Sequence, residues 1–268
     1  MAEVNAEQAA LWNTSGQGWA RVQDTVGQLM RPFEELLVEK AAERPRRRVL
    51  DVGCGTGGVT RAVAAATGAE CVGVDIAESM VAAAREHGQA EFLLADAQTH
   101  VFEQRFDLVV SRFGVMFFAD PGAAFTNLRT AVEPGGELCF ITWRAQEENP
   151  FMLTGDRVAR EILPGMPARD LDGPGPFSLA DPARVREVLD GWADVEVTPI
   201  DRTTRLPEEV LLPYLTNMGP VSRALREVPE RDRDRVLDRV RGAFDEFVHD
   251  GEVSFPTATW RVTASAPL

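Results

Sequence analysis

The sequence predicts an α/β fold, a doubly wound parallel sheet with helices on both faces. Three observations carry that reading. Short apolar runs alternate with helix-length segments from Val49 to Trp143, and such alternation makes strands parallel and packs helices across them. The first run, Val49-Leu50-Asp51-Val52, passes straight into Gly53-Cys54-Gly55-Thr56-Gly57-Gly58. Glycines there admit positive φ and let a nucleotide-like ligand approach bare backbone. The second and third runs each end on a carboxylate, Asp75 and Asp96.

The elements follow in chain order. The first 46 residues hold Leu11-Trp12-Asn13, Gly16-Gln17-Gly18-Trp19, and an amphipathic stretch through Met30, Phe33, Leu36 and Leu37. Tryptophans beside glycines suggest a helical flap over the ligand, a packed N-terminal helix being the alternative. After the first strand and its glycine turn, Val59, Ala62 and Val63 share one helix face. The second strand, Cys71-Val72-Gly73-Val74-Asp75-Ile76, puts Asp75 about twenty residues past the turn, where an acid can accept from ribose hydroxyls. The same position also suits a cap for the helix beginning near Glu78. The third strand runs over 91–97; its Asp96, followed by Ala97 and Gln98, can accept from an adenine amine.

A fourth strand over 106–110 leads into Ser111-Arg112-Phe113-Gly114-Val115-Met116-Phe117-Phe118. Asp120-Pro121 then caps a helix over 123–132. That helix stops at Glu133-Pro134-Gly135-Gly136, and the fifth strand spans 137–143. Residues 144–176 are polar and rich in proline and glycine, with Pro150, Phe151, Met152, Pro164 and Met166 among them, and depart from the core pattern. A capped helix over 181–189 precedes strand six over 193–201. A helical stretch from Glu208 to about His249 comes before the last strand, 254–265.

In this order the motifs resemble a class I S-adenosylmethionine-dependent methyltransferase, in the small-molecule branch similar to the ubiquinone and menaquinone biosynthesis methyltransferases. The resemblance is specific over 47–143. It implies a Rossmann-like seven-stranded sheet, mostly parallel with an antiparallel last strand, plus a helical lid. It divides the chain into an N-terminal helical flap (1–46), a cofactor-binding core (47–206 and 250–268) and a lid inserted between strands six and seven (207–249). S-adenosyl-L-methionine is the implied cofactor. Asp51, Gly53, Cys54, Gly55, Thr56 and Gly57 would hold its methionine part, Asp75 with Ile76 and Met80 its ribose, and Asp96, Ala97 and Gln98 its adenine. Ser111, Arg112 and Phe113 would lie beside the methionine end, with Trp19 closing over it.

Composition narrows the acceptor. The 268 residues carry a formal charge of −14, and an acidic surface repels nucleic-acid backbones. No apolar run approaches the ~20 residues of a membrane helix, and no signal peptide is visible at the polar start. Cys54, Cys71 and Cys139 fall in strands or the turn and read as buried free thiols. His87, His100 and His249 are scattered without metal-ligand spacing. A cytoplasmic enzyme without metal is expected, with the oligomeric state (monomer or homodimer) left open.

The lid is apolar in its first half, through Val210, Leu211, Tyr214, Leu215 and Met218, and carries a mixed-charge run at 230–235. With Phe113, Met116, Phe117 and Trp143, its residues Tyr214 and Met218 form the expected acceptor pocket for a small hydrophobic metabolite. No general base declares itself; His249, Tyr214 and Arg112 are weak candidates. Two alternatives stand beside methyl transfer. One is a non-methylating reaction, a cyclisation or isomerisation, on the same cofactor. The other is a nicotinamide-dependent oxidoreductase, supported by the formal G-x-G-x-x-G match at Gly53, Gly55 and Gly58 alone.

Overall fold

A computed structural model describes residues 5–21, 23–163, 173–217 and 219–268, with only the backbone described at 15–21, 23–26, 220, 223 and 227. Two helices, α1 (Ala6–Arg21) and α2 (Gln23–Ala42), precede the alternating region. There follow β1 (Arg48–Val52), α3 (Gly58–Thr67), β2 (Glu70–Asp75), α4 (Glu78–Glu86), β3 (Glu91–Leu94), β4 (Phe106–Arg112), α5 (Pro121–Ala131) and β5 (Val132–Trp143). The second half holds α6 (Pro150–Ile162), α7 (Pro182–Val188), β6 (Ala193–Pro207), α8 (Leu211–Asn217), α9 (Gly219–Glu227), α10 (Glu230–Gly242), β7 (Val248–His249) and β8 (Glu252–Ser265).

The strands form one sheet in the order β3-β2-β1-β4-β5-β8-β6, with β7 on β8. Pairs among β1 to β5 are parallel, and β8 runs antiparallel to β5, β6 and β7. The mostly parallel sheet with an antiparallel last strand is therefore present. Its count is eight rather than seven, because two residues at the end of the insertion pair with β8. Strand order reverses between β1 and β4, and ligands bind beyond the carboxyl ends of strands at such a switch point.

Both faces of the sheet are covered, which is why its strands read as unbroken apolar runs. Leu50, Val52, Val72 and Val74 pack against Phe125 and Leu128 of α5 on one face. Val49, Cys71, Leu108 and Val110 meet Phe33 and Leu37 of α2 and Val59 and Val63 of α3 on the other. Neighbouring Val49 and Leu50 serve opposite layers, as the two-residue period of a strand requires. Cys54, Cys71 and Cys139 are buried free thiols.

Several boundaries depart from expectation: β3 ends at Leu94 and not at 97, and β5 begins at Val132, taking in the residues 133–136 read as a turn. The segment 144–176 reads as irregular, yet Pro150–Ile162 is helix α6, with Pro150 in its first turn and Phe151, Thr154, Gly155 and Ala159 buried on one face. Proline is tolerated at that first position because its missing N–H has no helical partner there. Pro164 and Met166 lie outside the described residues. Strand six does not stop at 201; pairing with β8 continues to Pro207↔Glu252. Polar side chains hide this extension: the buried hydroxyls of Thr204 and Thr257 bond each other at 2.9 Å across the two strands.

The hairpin's far end enters a second core, where Leu206, Val253 and Phe255 meet Phe151 of α6, Leu211 and Leu215 of α8, Val221 of α9 and Val240 of α10. No described helix is long and apolar enough to cross a membrane.

Candidate active site

The turn after β1 is shaped by close backbone approach. Gly53, Gly55 and Gly57 all have positive φ. A Cβ on Gly53 would stand 2.7 Å from the Gly114 Cα, so the turns after β1 and β4 touch backbone to backbone. At Gly55 the space a Cβ would take is open for 4 Å. The Gly53 and Cys54 amides both donate to the Val74 carbonyl, at 2.9 and 3.1 Å.

Three carboxylates surround this turn. Asp51 is buried on β1, and its Oδ2 accepts from the Thr60 hydroxyl at 2.6 Å. Burial lifts its carboxyl to about 6, against the opposing pull of Thr60 and Arg112. Asp75 accepts from the Gly55 amide at 2.8 Å through one oxygen and from the Ala77 amide at 2.9 Å through the other. Its carboxylate thus braces both the glycine turn and the residue that precedes α4, and burial raises its pKa. Asp96 sits just past β3, accepting from the Gln98 amide at 2.9 Å and from Asn5 Nδ2 at 2.8 Å.

The N-terminus closes one side. Asn5 is buried; its amide also donates to Gln98 Oε1 at 3.2 Å, and its Oδ1 accepts from the Ala119 amide at 2.9 Å. Asn13 Oδ1 accepts from the Glu78 amide at the start of α4. Trp12 meets Phe117 edge to face at 4.8 Å. On the opposite wall, Phe113 has φ 60, a strained value for an aromatic residue, and stacks on Trp143 at 4.4 Å.

All of this surrounds one cavity of about 1040 Å³, at the upper end of the roughly 300–1,000 Å³ usual for small-molecule sites. Among the predicted residues, Asp51, Gly53, Cys54, Gly55, Thr56 and Asp75 line it at the turn. Ile76, Met80, Asp96 and Ala97 extend that wall, and Arg112, Phe113, Met116, Phe117, Trp143 and Tyr214 line the rest. Asn5, Gln8, Leu11 and Trp12 also line it. Sequence reasoning missed Asn5 and Gln8, whose neighbours are remote in the chain. The Gln8 Oε1 is buried without a hydrogen-bond partner among the described residues.

Several candidates do not line the cavity. Ser111 points into the sheet, donating to the Val52 carbonyl at 2.7 Å and accepting from the Gly114 amide. Gln98 is spent on Asn5 and the Asp120 amide. Gly57 opens α3, packed so that a Cβ would strike the Phe92 ring at 2.5 Å. His249 is exposed on β7 opposite Glu252, so it is no base for this site. Arg112 does line the cavity, but its guanidinium is engaged by Glu34 of α2 at 3.2 Å. The Trp19 side chain and Met218 lie outside what is described.

Comparison with known proteins agrees with the geometry. The methyltransferase domain model matches residues 50–140. Over these residues the chain is similar to methyltransferases. It is 31% identical over 155 residues to malonyl-(acyl-carrier protein) O-methyltransferase of Brevibacillus brevis, covering 52% of this chain and 56% of that protein. It is 34% identical over 134 residues to demethylmenaquinone methyltransferase of Thermus thermophilus, covering 47% and 61%.

The chain thus spans about half the length of these curated relatives. Phosphoethanolamine N-methyltransferase 2 of Haemonchus contortus, solved with S-adenosyl-L-methionine, shares the fold at a TM-score of 0.53 and 18% identity, over 88% of this chain and 53% of that one. No group of three or more His, Cys, Asp or Glu side chains among the described residues is arranged to hold a metal.

Proposed function

We propose that the chain transfers a methyl group from S-adenosylmethionine to a small apolar metabolite. One observation carries the reading: a single cavity joins the glycine turn and its three carboxylates to an aromatic chamber under the helical insertion. The residues present fit the cofactor. Buried carboxylates at Asp51 and Asp75, both with raised pKa, favour a ligand that brings positive charge. The open face of Gly55 leaves room for it against backbone.

When bound, the cofactor supplies a methyl already activated on a sulfonium. In this reading Asp75 accepts from its ribose hydroxyls, Asp96 and Ala97 border its adenine, and Asp51 faces its ammonium. Phe113, Met116, Phe117 and Trp143 hold the acceptor.

The chain's contribution is then mainly orientation, which can supply several of the roughly 7–11 kcal/mol available from proximity. None of the described cavity residues is a histidine. The Tyr214 phenol, pushed up to about 12 by burial, stays protonated. Both facts favour an acceptor that arrives as a competent nucleophile. Residues 1–46 act as the flap and 207–249 as the lid in this proposal.

Titration calorimetry with S-adenosylmethionine, S-adenosylhomocysteine and NAD tests the donor half. Heat with the first two and none with NAD is expected; binding of NAD alone would sink the proposal. Incubation with pooled acceptors, read by S-adenosylhomocysteine release, then separates methyl transfer from a cyclisation or isomerisation on the same cofactor.

A further inference from the structure

The insertion half of the cavity has its own chemistry. Its walls are Phe151, Gly155, Leu215, Val221, Val228 and Phe244, the core shared by α6, α8, α9 and α10. A Cβ on Gly155 would lie 3.2 Å from Val221 Cγ2, so α6 and α9 are closely packed here. Into this apolar chamber the sequence places Asp156 and Arg160, one turn apart on α6. Arg160 holds both Asp156 oxygens, Nε to Oδ2 at 3.1 Å and Nη2 to Oδ1 at 3.3 Å. Asp156 is buried and Arg160 half-buried, so the pair carries charge to the chamber wall where apolar side chains would otherwise close it.

The remaining polar groups set what the chamber can receive. Tyr214 and Ser222 both line the chamber, and neither hydroxyl has a hydrogen-bond partner among the described residues. The phenol is protonated and free to donate. Arg226 stands exposed at the rim with no acid partner among the described residues. Asp156 is the one acid among the described residues of this half, and both its oxygens are taken. Hydroxyl donors and guanidinium groups therefore meet no free carboxylate. Such a chamber favours an oxygen acceptor over an ammonium, because its one carboxylate is already paired while two hydroxyls and the guanidinium groups can donate.

We propose that this half of the cavity seats the oxyanion end of an amphiphilic acceptor, a carboxylate or similar group on an apolar body, through Tyr214, Ser222 and Arg160. The methyl-transfer reading enters only in calling that molecule the acceptor. It ranks amphiphilic amines below amphiphilic anions as substrates.

Calorimetry on the whole chain loaded with S-adenosylhomocysteine tests it, with decanoate and decylamine as matched probes at about pH 7.5, where one is an anion and the other a cation. Decanoate should bind at least about tenfold tighter, the scale of charge-assisted hydrogen bonds. The double variant Tyr214→Phe/Ser222→Ala should lose about fivefold or more for decanoate, with S-adenosylhomocysteine affinity unchanged. Arg160→Gln should erase the preference between the probes.

Equal affinity for the two probes in the wild type overturns the proposal. So does unchanged decanoate affinity in the double variant with a native circular dichroism spectrum, which answers the case in which Arg160→Gln fails to fold. If the wild type gives no heat with S-adenosylhomocysteine, methyl transfer falls instead, and the probe comparison without it still decides the chamber.

Discussion

Asp51→Asn should stabilise the protein and weaken its cofactor site at once. Asp51 is 2% exposed, and its carboxyl rises from 3.8 to about 6 because burial penalises the charged form. That rise corresponds to about 3 kcal/mol of cost for carrying the charge at neutral pH. In the unfolded chain the carboxyl returns to its ordinary value. Between about pH 4 and 6 the folded state therefore holds a proton that the unfolded state has released.

Wild-type stability falls as pH rises through this window and is flat above it as far as this group is concerned. Asparagine keeps an oxygen for the Thr60 hydroxyl and carries no charge. Urea denaturation at about pH 8 should show the variant more stable by up to about 3 kcal/mol, with the gap closing near pH 4. Calorimetry should show S-adenosylmethionine affinity reduced by about 1.5–3 kcal/mol, the loss of a hydrogen bond to a charged partner. A gap of the same size at both pH values, or a variant less stable at pH 8, would refute the reasoning.

Other perturbations follow from the same geometry. Asp75→Ala removes the acceptor braced by Gly55 and Ala77, and should cost about 1–3 kcal/mol in S-adenosylhomocysteine affinity by calorimetry; unchanged affinity would take Asp75 out of the site. Gly53→Ala drives a methyl onto the Gly114 Cα at positive φ, where neither backbone can yield. It should lower stability by about 2–4 kcal/mol in denaturant unfolding. Asn5→Ala breaks three hydrogen bonds that tie the residue before α1 to Asp96, Gln98 and Ala119. Amide hydrogen exchange in α1 should quicken, with a stability loss of about 1–3 kcal/mol; an unchanged exchange rate would show that the ties are idle.

The legible part of this protein was its local chemistry. Strand ends, glycines and carboxylates in the cradle are set by residues within a few positions of one another, so pattern alone places them. The side chains next to them were harder. Ser111 and Arg112 are adjacent, but alternation along β4 sends one into the sheet and the other to the cavity. Helix α6 was hidden in a segment read only as proline- and glycine-rich, although Pro150 opens the helix and Gly155 admits Val221. Asn5 could not be found at all, since its partner Asp96 lies 91 residues away. The extension of β6 follows from its pairing with β8, a tertiary contact that overrides its polar sequence.

The long hairpin has a consequence for how such a chain can diversify. The inserted helices leave β6 after Pro207 and return at Glu252, which face each other in register, and the Glu208 amide bonds the Gly251 carbonyl at 2.9 Å. Their two attachment points are already side by side. Exchanging the whole cassette for another, or for a tight turn, would need almost no new loop closure. Under the proposed function, a lineage can rewrite the acceptor chamber between two neighbouring residues and leave the glycine turn and its carboxylates untouched.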